Sequence, residues 1–423
     1  MKHLFLRRSA LGRLLCFILC ALFFPVSVSA QDQQGLTLQA AVEIALEHNP
    51  QLRALQRKVA AARSRAPATW WWQDPILSME WEGIPRGAGL QQFEERRFTL
   101  RQEIDFPLNM LWRNRFAARE VEVVVREYEV ARLETRAAAI SAYTDFVATR
   151  EALALARKRV ELSRDFYEKA EIRRRVGEAG AIESVRARVE LAQARNEFRM
   201  AESDFQAAKA ALNAILGRDA DENLTARDSL TYKPLQLSLQ EIKQQALQRH
   251  PQILWARARI GAAGYLKKLA WGSFLPSIEA TGFQQNLGGN PNFYGIEVGL
   301  RIPFWFLIRQ RAEIQAASAE LVSVKSEAEG VRLRLDAEIE AAFSRMQAVK
   351  KQVEMYHTEL LQQANEVYRI ALRSYEEGEI GYLQLLEAQR TLIEVRRGYI
   401  ETLANYQKAL AELERSSAVM IFE

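Results

Sequence analysis

The chain has 423 residues, with 58 Lys+Arg, 53 Asp+Glu, four His and two cysteines. Cys16 and Cys20 lie in the first 30 residues, so the remainder holds no disulfide, thiolate metal site or cysteine nucleophile. Four of the cations, Lys2, Arg7, Arg8 and Arg13, also lie there, leaving 54 Lys+Arg against 53 acids beyond Ala30, a near-neutral balance that gives no footprint for nucleic-acid binding.

Those four cations form a basic n-region. The apolar stretch Leu14–Phe24 and the small-residue pattern Val28-Ser29-Ala30 follow. The reading is a secretory signal peptide over 1–30, cut after Ala30; the alternative, a membrane anchor, would need about 20 apolar residues. No later segment has 18 uninterrupted apolar residues, the signal of a transmembrane helix.

The rest is one pattern written twice, 201 residues apart. Leu36-Thr37-Leu38-Gln39 returns as Leu237-Ser238-Leu239-Gln240, and Asn49-Pro50-Gln51 as His250-Pro251-Gln252. At the same offset Trp70 meets Trp271, Pro75 meets Pro276, Gly177 meets Gly378 and Gly180 meets Gly381. The heptad Leu191, Phe198, Phe205, Leu212 meets Leu392, Tyr399, Tyr406, Leu413. Such self-similarity marks a tandem duplication. The expected repeats are 31–235 and 236–423, joined by a short bridge near Gly217–Pro234.

Each repeat opens with a short helix, as over Leu38–Ala66. Strands follow, at about 75–106 and 276–303. Leu77, Met79 and Trp81 alternate with Ser78, Glu80 and Glu82; Phe98 and Leu100 with Arg97, Thr99 and Arg101; Ile278 and Ala280 with Ser277, Glu279 and Thr281; and Tyr294, Ile296, Val298 and Leu300 with Gly295, Glu297 and Arg301. Alternation gives each strand one apolar and one polar face. It also fits a soluble half-buried sheet, but nothing else in the chain looks like a core for one. Lipid on the apolar side and water on the other is the fitting solution. Four strands cannot close a barrel and lipid tolerates no open edge, so several chains must pool their hairpins. Trp70, Trp71, Trp72 and Trp271 precede strands. They suit an interfacial aromatic belt or packing at a helix-to-strand junction.

Long helices follow, over about 108–216 and 304–415. Leu108–Arg175 contains neither Pro nor Gly, and Phe304–Glu377 has Gly330 as its only interruption. At a rise of about 1.5 Å per residue such runs are on the order of 100 Å long. Their apolar residues are sparse and heptad-spaced, as seams between neighbouring helices require.

Catalytic signatures are missing. There is no GxSxG, HExxH, P-loop or paired-Cys motif. His48, His250 and His357 are apart, and the methionines are scattered. The expectation is a protein that is not an enzyme and needs no cofactor or metal.

The duplicated Leu-x-Leu opening, the hairpin ending Ile104-Asp105-Phe106-Pro107, and the paired turns Arg175–Gly180 and Tyr375–Gly381 resemble the TolC family of outer-membrane efflux proteins over essentially the whole chain beyond the leader. The run Gly378–Arg390 looks most like the family's heavy-metal CzcC/CusC branch. The resemblance implies an α+β membrane protein: a homotrimer with a shared 12-stranded β-barrel in the Gram-negative outer membrane and a periplasmic α-helical barrel. It implies a passive duct coupled to an inner-membrane RND-type pump through a periplasmic adaptor, exporting metal cations in that branch. A type I protein-secretion conduit and a pore-free periplasmic coiled-coil scaffold are the alternatives. It further implies that the tips at Gly177, Gly180, Gly378 and Gly381 dock the adaptor, and all four glycines are expected to supply unusual backbone geometry. Tyr375, Gln384, Glu387 and Glu183 become candidates for a constriction at the tunnel mouth; each is also readable as an ordinary helix surface residue.

Overall fold

A computed structural model describes residues 35–177, 180–288, 291–302 and 309–422. The signal peptide expected over 1–30 lies outside the described residues, as does the expected start of the long helix at Phe304.

The first half runs α1 (Leu38–His48), α2 (Pro50–Arg65), β1 (Ile76–Glu82), β2 (Glu95–Ile104), α3 (Pro107–Arg175) and α4 (Ala181–Leu216). The second runs α5 (Leu239–Arg249), α6 (Pro251–Gly272), β3 (Ser277–Leu287), β4 (Phe293–Arg301), α7 (Arg309–Met355), α8 (Leu361–Glu376) and α9 (Tyr382–Ser417). Adding 201 to the bounds of α1 and α4 gives those of α5 and α9.

The repeated opening motif is a pair of helix caps. Thr37 caps α1 by accepting from the Ala40 N–H at 3.2 Å. Ser238 caps α5 in a capping box with Glu241. Asn49 Oδ1 accepts from the N–H groups of Gln51 and Leu52 at 3.0 and 3.2 Å, and His250 Nδ1 accepts from Gln252 N–H at 3.2 Å. Pro follows each at the first helical position, where its missing N–H costs no bond. Gly217 ends α4 at φ +72, and a Cβ there would lie 2.6 Å from the His48 carbonyl oxygen.

The long helix α3 is unbroken over 69 residues, about 100 Å at the α-helical rise. Its second-half counterpart runs straight through Gly330 but, unlike the single long helix expected, is interrupted at Tyr356–Leu360 by a single π turn between α7 and α8. A Cβ at Gly330 would meet nothing within 4 Å, whereas one at Gly398 of α9 would run into the Tyr356 ring.

The strands form one antiparallel sheet in the order β1-β2-β3-β4. The central β2–β3 ladder joins the two halves, pairing Glu95–Ile104 with Ile278–Leu287. Two hydrophobic cores sit at mid-length along the helices. One gathers Ile242, Leu335, Met346, Tyr406 and Leu413, the other Ala45, Ile140, Phe146, Leu212 and Leu216. A third, around Phe166, Ala187, Tyr382 and Leu385, lies near the tips.

The segment between α4 and α5 is a fastened strap. Leu36 N–H donates to Thr225 O at 2.7 Å and Arg227 N–H to Leu36 O at 3.0 Å. Tyr143 Oη and the Leu38 N–H both donate to Asp228 Oδ2, at 2.9 and 2.8 Å. Burial, together with the hydrogen bond to Asp228, pushes the Tyr143 hydroxyl well above its ordinary pKa. Farther along, Tyr232 Oη donates to Glu354 at 2.7 Å, and Tyr406 Oη to Lys233 O at 3.1 Å. The strap thereby ties α3 to α7 and α9.

Candidate functional site

Two regions carry uncommon surface chemistry: the sheet and the helical tips. On the sheet, the register places Leu77 beside Leu100, Met79 beside Phe98, Ile278 beside Leu300 and Ala280 beside Val298. All these belong to one face. Ile296, Val298 and Leu300 are 86, 72 and 58% exposed in the protomer, so this face is apolar and uncovered. The opposite face is an ion-pair lattice. Arg101 Nε lies 2.8 Å from Glu279, Arg301 lies 2.8 Å from Glu103 and 3.4 Å from Glu279, and Arg97 lies 2.9 Å from Glu95. On this face Glu80, Glu82, Glu95, Glu103, Glu279 and Glu297 outnumber Arg97, Arg101 and Arg301. Strands β2, β3 and β4 have 10, 11 and 9 residues, close to the ~9–11 that cross a bilayer when tilted. Trp70, Trp71, Trp72 and Trp271 are all more than half exposed at the helix-side margin of this sheet. Trp271 also packs its ring 5.9 Å from that of Phe274.

At the tips the four glycines divide into two kinds. Gly177 and Gly378 have φ +81 and +80, the left-handed geometry that glycine supplies past a helix end. After α8 the Glu379 N–H reaches back to Ser374 O at 2.8 Å, and Gly378 N–H to Tyr375 O at 3.1 Å. Gly180 and Gly381 instead have φ −72 and −81 with extended ψ, as the residues that cap α4 and α9. Any residue adopts that conformation, so the expectation of special geometry holds for only two of the four.

The gate candidates are not gathered into one contact. Tyr375 is half-buried and its hydroxyl accepts from Arg173 Nη1 at 3.2 Å, a bond from the first tip to the second. Gln384 Oε1 accepts from the Gly381 N–H at 2.8 Å, closing the start of α9. Glu387 is exposed one turn farther on, where its carbonyl oxygen accepts from Thr391 Oγ1 at 2.9 Å. Glu183 sits half-buried in the first turn of α4, a position that favours negative charge.

Sequence reasoning passed over several tip and seam residues. Glu171 accepts from Ser184 Oγ at 2.6 Å and from Arg174 at 2.7 Å; these hydrogen bonds from Arg174 and Ser184 lower its carboxyl to about 2. Higher up, Glu190 of α4 is 3% exposed. It accepts from Arg159 of α3 at 2.8 Å and from Arg390 of α9. Burial would raise the Glu190 carboxyl, but hydrogen bonds from Arg390 and Arg159 outweigh it and hold the group low. Arg159 also bonds Glu197. A signal existed: Glu190 occupies the apolar stripe of α4 alongside Ala187, Leu191 and Ala194, all buried. Tyr382, below it, has its hydroxyl pushed up to about 12 by burial and by the nearby Glu190 charge.

No group of His, Cys, Asp and Glu among the described residues is arranged to hold a metal ion, and no described helix is long and apolar enough to cross a membrane. Comparison with known proteins gives the family. The sequence profile of the outer membrane efflux proteins matches residues 41–218 and 242–418. Among curated relatives, the outer membrane efflux protein BepC of Brucella suis is 26% identical over 250 residues, 57% of this chain. The cobalt-zinc-cadmium resistance protein CzcC of Cupriavidus metallidurans is 22% identical over 260 residues, 61% of this chain. The alignments span 54% of BepC and 62% of CzcC, under two thirds of either relative. The CmeC outer membrane channel of Campylobacter jejuni superposes with a TM-score of 0.76 at 17% identity, over 90% of this chain and 85% of that one. The two profile matches, one in each half of the duplicated fold, show that the chain belongs to the outer membrane efflux protein, or TolC, family of the Gram-negative outer membrane.

Proposed function

We propose that the protein is the outer-membrane channel subunit of a tripartite efflux system: a passive duct joined through a periplasmic adaptor to an inner-membrane RND-type pump. The observation that carries this reading is the sheet. It has an uncovered apolar face, a charged opposite face, and outer strands β1 and β4 whose far edges pair with nothing among the described residues. In hydrocarbon an open strand edge costs several kcal/mol per unpaired group, so the edges must be paired. Three copies of a four-stranded sheet would close a 12-stranded barrel with lipid outside and water inside. The two structural repeats, 31–235 and 236–423, would then give the trimer pseudo-sixfold helical walls. The turns at Gly177, Gly180, Gly378 and Gly381 would dock the adaptor. Tyr375, Gln384, Glu387 and Glu183 would surround the mouth, and Trp70, Trp71, Trp72 and Trp271 would sit at the membrane interface.

Metal cations are the proposed cargo. The resistance named for CzcC supports that reading, and so does the excess of carboxylates over guanidinium groups on the charged sheet face. A ring of carboxylates attracts cations electrostatically. Outer-membrane fractionation with conductance in a planar bilayer tests the duct. A protein that stays soluble and never conducts defeats it. Deleting the gene and measuring metal, drug and protein export tests the cargo; loss of protein export alone would replace efflux by secretion.

A further inference from the structure

The two helical hairpins differ in backbone at one level. Tyr356–Leu360 is a π turn, whereas its counterpart 201 residues earlier, Leu155–Arg159, is ordinary helix within α3. A π turn holds one residue more per hydrogen-bonded loop than an α-helix and is a recognised site of bending. This one rests on Gly398 of α9, where a Cβ would lie 2.9 Å from Tyr356 Cζ. Hydroxyls loosen both helices nearby. Thr358 Oγ1 donates to Glu354 O at 2.8 Å, and Thr402 Oγ1 to Gly398 O at 2.6 Å; such back-bonds bend helices.

Packing is interrupted at the same level. α3 has no buried hydrophobic residue between Val147 and Phe166, α7 and α8 have none between Val353 and Ala364, and α9 has none between Leu392 and Leu403. In its place a cleft of about 640 Å³ opens between α3, α4 and α9, lined by Ala152, Ala156, Met200, Ile393 and Ile400 among others. Ser163 and Gln389, 3 and 2% exposed, each leave a side-chain oxygen without a partner. The tip core around Phe166, Tyr382 and Leu385 is therefore a packing unit separate from the two mid-length cores. Closely packed interiors move as rigid blocks, so bending concentrates where packing stops.

We infer that the π turn Tyr356–Leu360, seated on Gly398, is a hinge about which the tip unit bends as one body against the mid-length body. Its value as a gate rests on the proposed duct; the bending itself does not. Hydrogen exchange followed by mass spectrometry on the full protein in detergent tests it. Amides at 356–361 are expected to exchange at least about tenfold faster than those at 155–160; equal rates overturn the hinge. Gly398→Ala should displace Tyr356 and raise exchange at 356–361 by about a further threefold while leaving 155–160 unchanged. No change at 356–361 overturns the role of the Gly398 seat. Conductance measured on the same preparation separates the two readings: exchange as expected with no conductance retires the duct and leaves the hinge.

Discussion

The two hairpin tips share the left-handed geometry of Gly177 and Gly378 and differ in side-chain chemistry at three matched positions. In the first, Glu171, Ser184 and Arg174 form a hydrogen-bonded cluster. Adding 201 gives Leu372, Leu385 and Tyr375, and there the same positions pack apolar side chains, with Leu385 fully buried. Caps show the same divergence, since Asn49 and His250 both cap a helix with different chemistry. The comparison teaches that backbone turns and caps survived the duplication, while side chains facing the seam were free to specialise. At these positions the first tip is polar and the second apolar, and Arg173 to Tyr375 joins them.

The largest expected effect comes from the apolar tip. Leu385→Ala should cost about 3 kcal/mol and lower the midpoint of denaturant unfolding followed by helical circular dichroism, whereas Ser184→Ala should cost about 1 kcal/mol. Equal losses would break the proposed division between the tips. Next is the seam. Glu190→Gln strips a buried charge from two guanidinium groups and should cost about 2 kcal/mol, discounted because Arg390 is half-exposed. A neutral result would show that the ion cluster adds nothing beyond packing.

His250 sharpens the comparison of caps. Burial lowers its pKa below the ordinary 6.5, so the unfolded chain binds a proton more readily than the folded one. The stability it confers is present above pH 6.5 and falls as the pH drops below that value. His250→Asn, which copies Asn49, should flatten the dependence of melting temperature on pH between 7 and 5; an unchanged slope excludes His250 as its source. The smallest effect is at the polar tip. Glu171, held at about 2 against an ordinary 4.5, confers stability present above pH 4.5 and lost as the pH falls through about 2. Exchange of amides around Gly177 should rise over that range in the wild type and be pH-insensitive beyond the intrinsic rate in Glu171→Gln.

Much of the fold was legible in advance because its determinants are local. Period-two alternation over Tyr294–Leu300 marked a strand whose apolar face the register bears out. The Pro- and Gly-free stretch after Pro107 marked a helix of 69 residues. The 201-residue offset aligned elements that then recur at matching bounds. The π turn at Tyr356–Leu360 was not legible, because no local signal marks it and its neighbour Gly398 is distant in sequence and in contact only after folding.

The site residues were less legible for the same reason. Gly177 and Gly378 could be read as turns because their left-handed geometry is a property of one residue and its neighbours. Arg173 and Arg390 could not, and Glu190 showed in the stripe of α4 only that it would be buried, because each gains its role from a partner on another helix.

Hydrophobic periodicity, caps and the repeat thus determined by sequence alone which segments are strands, which are helices, and that one sheet face must meet something apolar. Tertiary structure alone decided that β2 joins β3 across the two halves, that the tip core stands apart from the mid-length cores, and that the buried Glu190 charge pairs across three helices. Backbone preference and side-chain alternation act within a few residues, whereas packing and charge pairing depend on which distant surfaces the chain brings together.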